Sequence, residues 1–280
     1  MSDNPPDKSG EAPAGGFGLS TGRLLRLMMP ILVGVIALLA WEAFVRIEEV
    51  PVYILPGPLR IAQKLVQEWG SLSDSLLVTL RITALALISA VVIGGGLAIL
   101  FTQSKWIEAS FFPYAVILQV TPIVAIAPLI LIYVRNTEVA LLICAWIVAF
   151  FPILSNTTLG LNSVDDNFLD LMRLYRARRF QVLWYLRLPG AMPYFFGGLK
   201  IAGGLSLIGA VVAEFTAGTA AGGSGLAYRI LESSYRLDIP KVYAALFLLS
   251  ASGILIFMLF SGLAHLFLHK WHESASRRER

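Results

Sequence analysis

Charge is scarce in this sequence. Asp, Glu, Lys and Arg together make up 14% of its 280 residues, where soluble domains carry about 25%. A water-facing surface cannot be built from so few charges, so a soluble globular enzyme is excluded as the starting point. Cysteine occurs once, as Cys144 inside an apolar run, so neither a disulfide framework nor a cysteine-based metal site can be assembled. Also missing is a Gly-x-x-x-x-Gly-Lys-Ser/Thr phosphate cradle, since the glycines between Gly15 and Gly22 lack that spacing. The chain is therefore not expected to hydrolyse ATP by itself.

Apolar residues are what the chain has in abundance: 57% of residues, with a mean hydropathy of +0.74. They are gathered into runs that approach or exceed the roughly 20 residues needed to cross a bilayer. Six such runs are expected to span: Leu24 to Ile47, Leu76 to Phe101, Ser110 to Val134, Val139 to Gly160, Tyr194 to Phe215 and Val242 to Leu268. The first follows Arg23 and Arg26, exceeds the length of a signal-peptide core and lacks a small-residue cleavage site after it. It reads as a retained span, an uncleaved export signal being the other reading. The fold class is thus all-α: a polytopic helical membrane protein of about six transmembrane helices.

Residues 1–22, rich in Pro, Gly, Ser and Asp, hold too little apolar surface to offset chain entropy and read as a disordered tail. Residues 23–272 form the membrane domain, and residues 273–280 a second polar tail. The net charge of +4 and sequence pI of 9.3 are read as topology, with no nucleic acid as partner. Six spans place both termini on one side of the bilayer. Thirteen Lys and Arg fall on that side against eight on the other, with Lys200 inside a span. Basic residues favour the cytoplasmic side, so both termini are expected in the cytoplasm. Arg81 and Lys200 lie where long side chains can snorkel to the interface.

On the opposite side, Pro56 and Pro58 fix a turn, and Leu59 to Trp69 reads as a short amphipathic helix along the membrane surface. A glycine-rich loop, Thr216 to Gly225, precedes a second short surface helix, Leu226 to Leu237, which an extracytoplasmic solute-binding protein could contact.

Asn162 to Pro193 is the longest polar stretch within the membrane domain. Asp165 and Asp166 suit a helix N-terminus, and Phe168, Leu171, Met172 and Tyr175 then recur at helical spacing. A second helix, Phe180 to Leu186, is expected to be ended by Leu188-Pro189. The pair would carry a basic face (Arg173, Arg176, Arg178, Arg179) beside an apolar one (Leu171, Met172, Val182, Leu183). An apolar face outside the bilayer points to a protein partner, whereas the charges alone would be an ordinary solvated face.

This stretch resembles the cytoplasmic loop of the permeases of binding-protein-dependent bacterial ABC importers, in particular their nitrate, sulfonate and taurine branch. That family's pattern is Glu-Ala-Ala, three residues, Gly, nine residues, Ile, one residue, Leu-Pro. With Leu188 and Pro189 as anchor, the acid falls on Asp170, the alanines on Leu171 and Met172, and the isoleucine on Leu186. Arg176 occupies the glycine position, so the turn must be made without φ > 0 or with strain. Further short strings, among them Thr121-Pro122, Ala127-Pro128-Leu129, Phe151-Pro152-Ile153 and Ala213-Glu214, match in order from Leu55 to Leu268.

The resemblance implies a type I importer fold with a cytoplasmic coupling-helix pair in a bacterial plasma (inner) membrane. It implies two copies of the chain, a dimer of ATPase subunits that uses ATP and Mg, a solute-binding protein, and no cofactor bound by this chain. Asp170, Leu171, Met172, Arg173, Arg176, Ala177, Leu186, Leu188 and Pro189 would couple to the ATPase. The solute would be nitrate, a sulfonate, taurine or a pyrimidine-like compound.

A pathway must be lined by polar or interrupted helical positions, because charge at mid-bilayer is costly. Gln119, Thr121, Pro122, Asn156 and Glu214 are the candidates. For Glu214 the other reading is an interfacial carboxylate that reaches headgroups or caps a neighbouring helix. For Asn156 it is a hydrogen bond in helix packing. His265, His269 and His272 recur at i, i+4 and i+7 beside Glu273, but no metal site is expected: no second-shell partner can be named, and histidines at a span's end ordinarily meet headgroups. The rival class, an ion-coupled secondary transporter or channel, would show paired charged broken helices in two halves, and the sequence has no such inverted repeat. An intramembrane enzyme would need a catalytic constellation within the spans, where the only acids are Glu42, beside Arg46 near the end of the first span, and Glu214.

Overall fold

The computed structural model of the chain describes residues 21–218 and 225–268, with side chains from residue 28 onward. All regular elements among the described residues are helices. The chain divides after Val50 into two compact units. The first contains α1, Thr21–Ile47, of which Met28–Ile47 is long and apolar enough to cross a bilayer.

The second unit contains α2 (Pro58–Gln67), α3 (Trp69–Gln103), α4 (Lys105–Val120), α5 (Ile123–Tyr133), α6 (Thr137–Asn162), α7 (Asp166–Leu174), α8 (Arg179–Val182), α9 (Leu188–Ala217), α10 (Leu226–Tyr235) and α11 (Ile239–Leu268). Its centre is the packing of α6 on α9 and α3. Small residues allow the close approach: a Cβ on Gly198 would lie 2.8 Å from both Asn156 Cβ and the Pro152 carbonyl, and one on Gly209 would lie 2.8 Å from Ala145 Cα. In hydrocarbon, where apolar burial between helices gains little, such backbone proximity is what holds helices together. Ala86, Ala145, Ala210 and Ala213 are fully buried around Cys144 in the same seam.

Among the described residues, five helices are long and apolar enough to span, and the bent pair α4 and α5, counted as one span, would make six. The expectation of a single run over Ser110 to Val134 is corrected in its geometry: α4 and α5 meet at 100°. Thr121 and Pro122 are both extended, with ψ of 122° and 116°. Pro122 lacks the N–H that would continue the ladder, and its ring disfavours helical backbone at Thr121. As a result α4 packs along α3 and α6, while α5 packs against α6 and α9.

A second correction concerns Leu188-Pro189, which does not end a helix. From Arg179 to Ala217 the chain stays helical over 39 residues, passing through a π turn at Leu183–Arg187 in which the Leu188 N–H donates to the Leu183 carbonyl. The wider turn re-registers the ladder just before Pro189, whose missing N–H then falls at the start of α9.

Three helices end on a residue other than glycine in the left-handed region: Glu49 (φ 46°), Arg176 (φ 52°) and Leu237 (φ 58°). Each is followed by a six-to-one closing bond, Val50 N–H to Val45 O, Ala177 N–H to Met172 O and Asp238 N–H to Ser233 O, at 2.9–3.1 Å. This is the Schellman arrangement, ordinarily built on glycine.

The surface helix expected over Leu59 to Trp69 is α2, with Pro58 in its first turn; Trp69 instead opens α3. Ile61 and Leu65 of α2 pack on a cluster of Leu72, Leu226, Ile230 and Leu248.

Candidate functional site

Two ends of the helical unit carry polar features. At one, α6 leads into α7. Asp165 caps α7 by accepting from the Asn167 N–H at 2.8 Å, as its short carboxylate side chain favours. Asp170, Leu171, Met172 and Arg173 follow on α7, with an exposed Asp170–Arg173 pair at 2.7 Å. Arg176 and Ala177 form the connecting turn, with left-handed backbone at Arg176, the strained one of the two alternatives the sequence left open. Leu186 sits in the π turn, and Leu188 and Pro189 open α9. All nine candidates therefore lie on one helical hairpin and its continuation into α9.

That hairpin exposes large apolar side chains: Leu174, Tyr175, Phe180, Trp184 and Tyr185 are each more than half exposed, while Leu171 is 46% exposed. The Phe180 ring stacks on Trp184 at 6.1 Å. Its attachment to the bundle was not legible in the sequence. Leu183 is buried with Phe101, Leu154, Leu161 and Ala191, and Arg187 Nη1 donates to the Thr102 carbonyl at 3.1 Å. Leu183 had been placed on the docking face by periodicity; burial moves it to the anchoring face.

The second feature is a cavity of about 280 Å³ at the break between α4 and α5. Gln119, Thr121, Pro122, Ile147, Pro152 and Leu205 are among its lining residues. The Thr121 hydroxyl donates to the Ile117 carbonyl at 2.7 Å, closing the end of α4. Asn156 is not among the lining residues: its amide donates to the Pro152 carbonyl at 2.8 Å, and its Cβ lies where one on Gly198 would collide. Of the five pathway candidates, three are therefore brought together.

Glu214 lies elsewhere, at the end of α9 opposite the hairpin, and is 1% exposed. Its Oε1 accepts from the Thr79 hydroxyl of α3 at 2.7 Å and its Oε2 accepts from the Ala227 N–H of α10 at 3.0 Å. Thr79 Oγ1 in turn accepts from the Leu226 N–H at 2.9 Å. The first two free donors of α10 thus end on two side chains of other helices, where its positive dipole end favours a carboxylate. Capping a neighbouring helix is the geometry present. A Cβ on Gly225 would overlap the Glu214 carboxylate, a close approach that requires glycine there.

Arg229 Nε adds a bond to Ser75 Oγ at 3.0 Å. Outside the spans, Lys64 of α2 pairs with Asp238 at 2.7 Å and Lys241 with Glu68 at 2.9 Å. Among the described residues no group of three metal-ligating side chains is present; His269, His272 and Glu273, the tails and segment 219–224 lie outside them.

Residues 90–273 match the family described as binding-protein-dependent transport system inner membrane component. A probable ABC transporter permease protein of Haemophilus influenzae is 29% identical over 87% of this chain and 98% of its own length. The riboflavin transport system permease protein RibX of Chloroflexus aurantiacus is 31% identical over 85% and 87%, respectively. The formylaminopyrimidine transport permease protein ThiX of Halalkalibacterium halodurans is 30% identical over 88% and 97%. A solved amino acid ABC transporter with histidines superposes with a TM-score of 0.58 at 19% identity, covering 74% of this chain and 96% of that one.

Proposed function

Since the chain belongs to the binding-protein-dependent transport system inner membrane components, the permease subunits of ABC importers, we propose that two copies of it enclose one translocation pathway. In this reading the hairpin of α7 and α8 enters a cleft on a separate ATPase subunit, which binds ATP and Mg. The hairpin end is the cytoplasmic end, with both termini on that side, and α10 faces the solute-binding protein outside. Residues 23–272 act as one membrane domain of a bacterial inner membrane protein.

The observation that carries this reading is the exposed aromatic hairpin continuous with a span. Tyr175, Phe180 and Trp184 are exposed on the polar stretch between the end of α6 and the start of α9. Unpartnered apolar area of this kind marks a protein interface. Asp170, Leu171, Met172, Arg173, Arg176 and Ala177 form the docking half, and Leu186, Leu188 and Pro189 transmit its movement into α9. ATP-driven closure of the ATPase pair would then rock the helices as rigid bodies and alternate access between the two sides.

The cavity at the α4 and α5 break is the assigned part of the path, with Gln119, Thr121 and Pro122 as its lining. Irregular backbone within a membrane is tolerated where it faces a cavity, which suits this position. Asn156 serves helix packing beside it. The solute is a small anion or heterocycle of the kinds named for relatives, such as nitrate, sulfonates, riboflavin or a formylaminopyrimidine.

The test is reconstitution in liposomes with the ATPase and binding protein encoded beside it, using radiolabelled nitrate, taurine and riboflavin. ATP-dependent uptake of one of them that needs all three components is expected. Uptake by the purified chain alone, driven by an ion gradient, would overturn the assignment.

A further inference from the structure

Glu214 is buried deep at the α10 end, yet it lies outside the lining of the cavity at the helix break. A carboxylate in such a place needs donors, because leaving a charge or a polar group unpaired in an apolar interior is costly. Both oxygens find one, and the two donors come from different helices: the Thr79 hydroxyl on α3 and the Ala227 N–H on α10. Thr79 closes the triangle by accepting from the Leu226 N–H. Arg229 of α10 reaches Ser75 one turn before Thr79 on α3, and Gly225, having no Cβ, leaves room for the carboxylate.

Three elements thus meet at one side chain. On the far side, α10 ends in exposed Tyr235 and Leu237, the surface offered to the binding protein. We propose that Glu214 and Thr79 form a positioning joint that locks α10 to α3 and α9, so that docking of the binding protein on α10 shifts these two spans together. The proposal rests on the importer reading above. Hydrogen bonds to a carboxyl group this far buried are electrostatically stronger than in water, and losing one leaves a buried polar group unpaired. Thr79 and Glu214 are positioning residues; neither is required to touch the solute.

The test uses the full-length permease assembled with its ATPase in nanodiscs, with the purified binding protein, carrying whatever solute it retains, as the probe. For Thr79→Val, assembly and basal ATP hydrolysis stay at the wild-type level while stimulation by the binding protein falls at least fivefold. Thr79→Ser, which keeps the hydroxyl, restores it. Adding Glu214→Gln to Thr79→Val lowers stimulation no further, since both act through one joint. Wild-type stimulation in Thr79→Val, or a parallel loss of assembly, basal rate and stimulation, would overturn the joint. Absence of stimulation in the wild type would instead overturn the importer reading, and the joint with it.

Hydrogen exchange on the full-length permease gives an independent readout. The Leu226 and Ala227 amides exchange faster in Thr79→Val, with α6 unchanged. Unaltered exchange at those two amides would rule the joint out whatever the state of assembly.

Discussion

Lys64 and Asp238 hold each other at 2.7 Å, and through them the surface helix α2 is fastened to the turn between α10 and α11. A second pair, Lys241 and Glu68 at 2.9 Å, crosses the same junction. The Asp238 hydrogen bond pushes the Lys64 ammonium above its ordinary range, and the Lys241 hydrogen bond draws the Glu68 carboxyl below its own. The contribution of Glu68 is complete above the usual glutamate value of about 4.3 and is lost as pH falls through its lower folded value. That of Lys64 is complete below about 10.4 and is lost as pH rises through its higher folded value. Protection of the α2 amides from hydrogen exchange is therefore flat from about pH 5 to 10 and drops on both sides. Partly exposed pairs are each worth up to about 1 kcal/mol, so Lys64→Met speeds α2 exchange by about two- to fivefold at pH 7, and 1 M salt does nearly the same.

Glycines in α9 divide by what lies across from them. An added Cβ on Gly198 meets the Pro152 carbonyl at 2.8 Å, whereas one on Gly204 meets nothing within 4 Å. Gly198→Ala destabilises by about 1–3 kcal/mol through overpacking, and Gly204→Ala stabilises by up to about 1 kcal/mol through helix propensity. The lone buried thiol of Cys144 reports both: a thiol-reactive dye labels it only on unfolding, and the two melting shifts take opposite signs.

Arg176 stands in left-handed backbone at the end of α7. For an L-residue with a side chain this conformation costs about 1–2 kcal/mol, and glycine is exempt. Arg176→Gly is expected to slow exchange of the Tyr175, Arg176 and Ala177 amides by about fivefold or more. Arg176→Val speeds it. Similar treatment of Leu237, in the equivalent place at the end of α10, gives the same order.

Leu171→Asp combined with Met172→Asp puts two charges on the exposed flank of the hairpin without touching Leu183 or Arg187, which anchor it. Membrane insertion and the melting profile stay as in the wild type, while co-purification of the ATPase is lost. Recovery of an undiminished ATPase complex with this double variant would contradict the docking surface.

The spans and the amphipathic hairpin were legible because each is written locally, as runs of apolar residues or as three-and-four spacing. Asp165 at a helix N-terminus was likewise readable from its neighbours, whereas at Arg176 the family pattern narrowed the turn only to two alternatives, of which the structure adopts the strained one. The bend at Thr121 was half visible: proline marked the interruption, but nothing local set an angle of 100°. Leu188-Pro189 misled, since a proline that ordinarily stops a helix is here accommodated by a π turn that no short motif announces. The surroundings of Glu214 were out of reach for a different reason. Its donors, Thr79 and Ala227, lie in other elements, and only the assembled packing of α3, α9 and α10 brings them to it.

The unbroken helical run from Arg179 to Ala217 spans 39 residues, about 58 Å at 1.5 Å per residue. That exceeds the roughly 30 Å thickness of a bilayer's hydrocarbon core, so in the importer reading the run would serve as a connecting rod longer than the layer it crosses. In that reading, a force applied to Phe180 or Trp184 would reach the neighbourhood of Glu214 without crossing a loop, passing only the wide turn at Leu183–Arg187 and the ladder interruption at Pro193. Stroke length at the far end would then be governed by how far those two points flex.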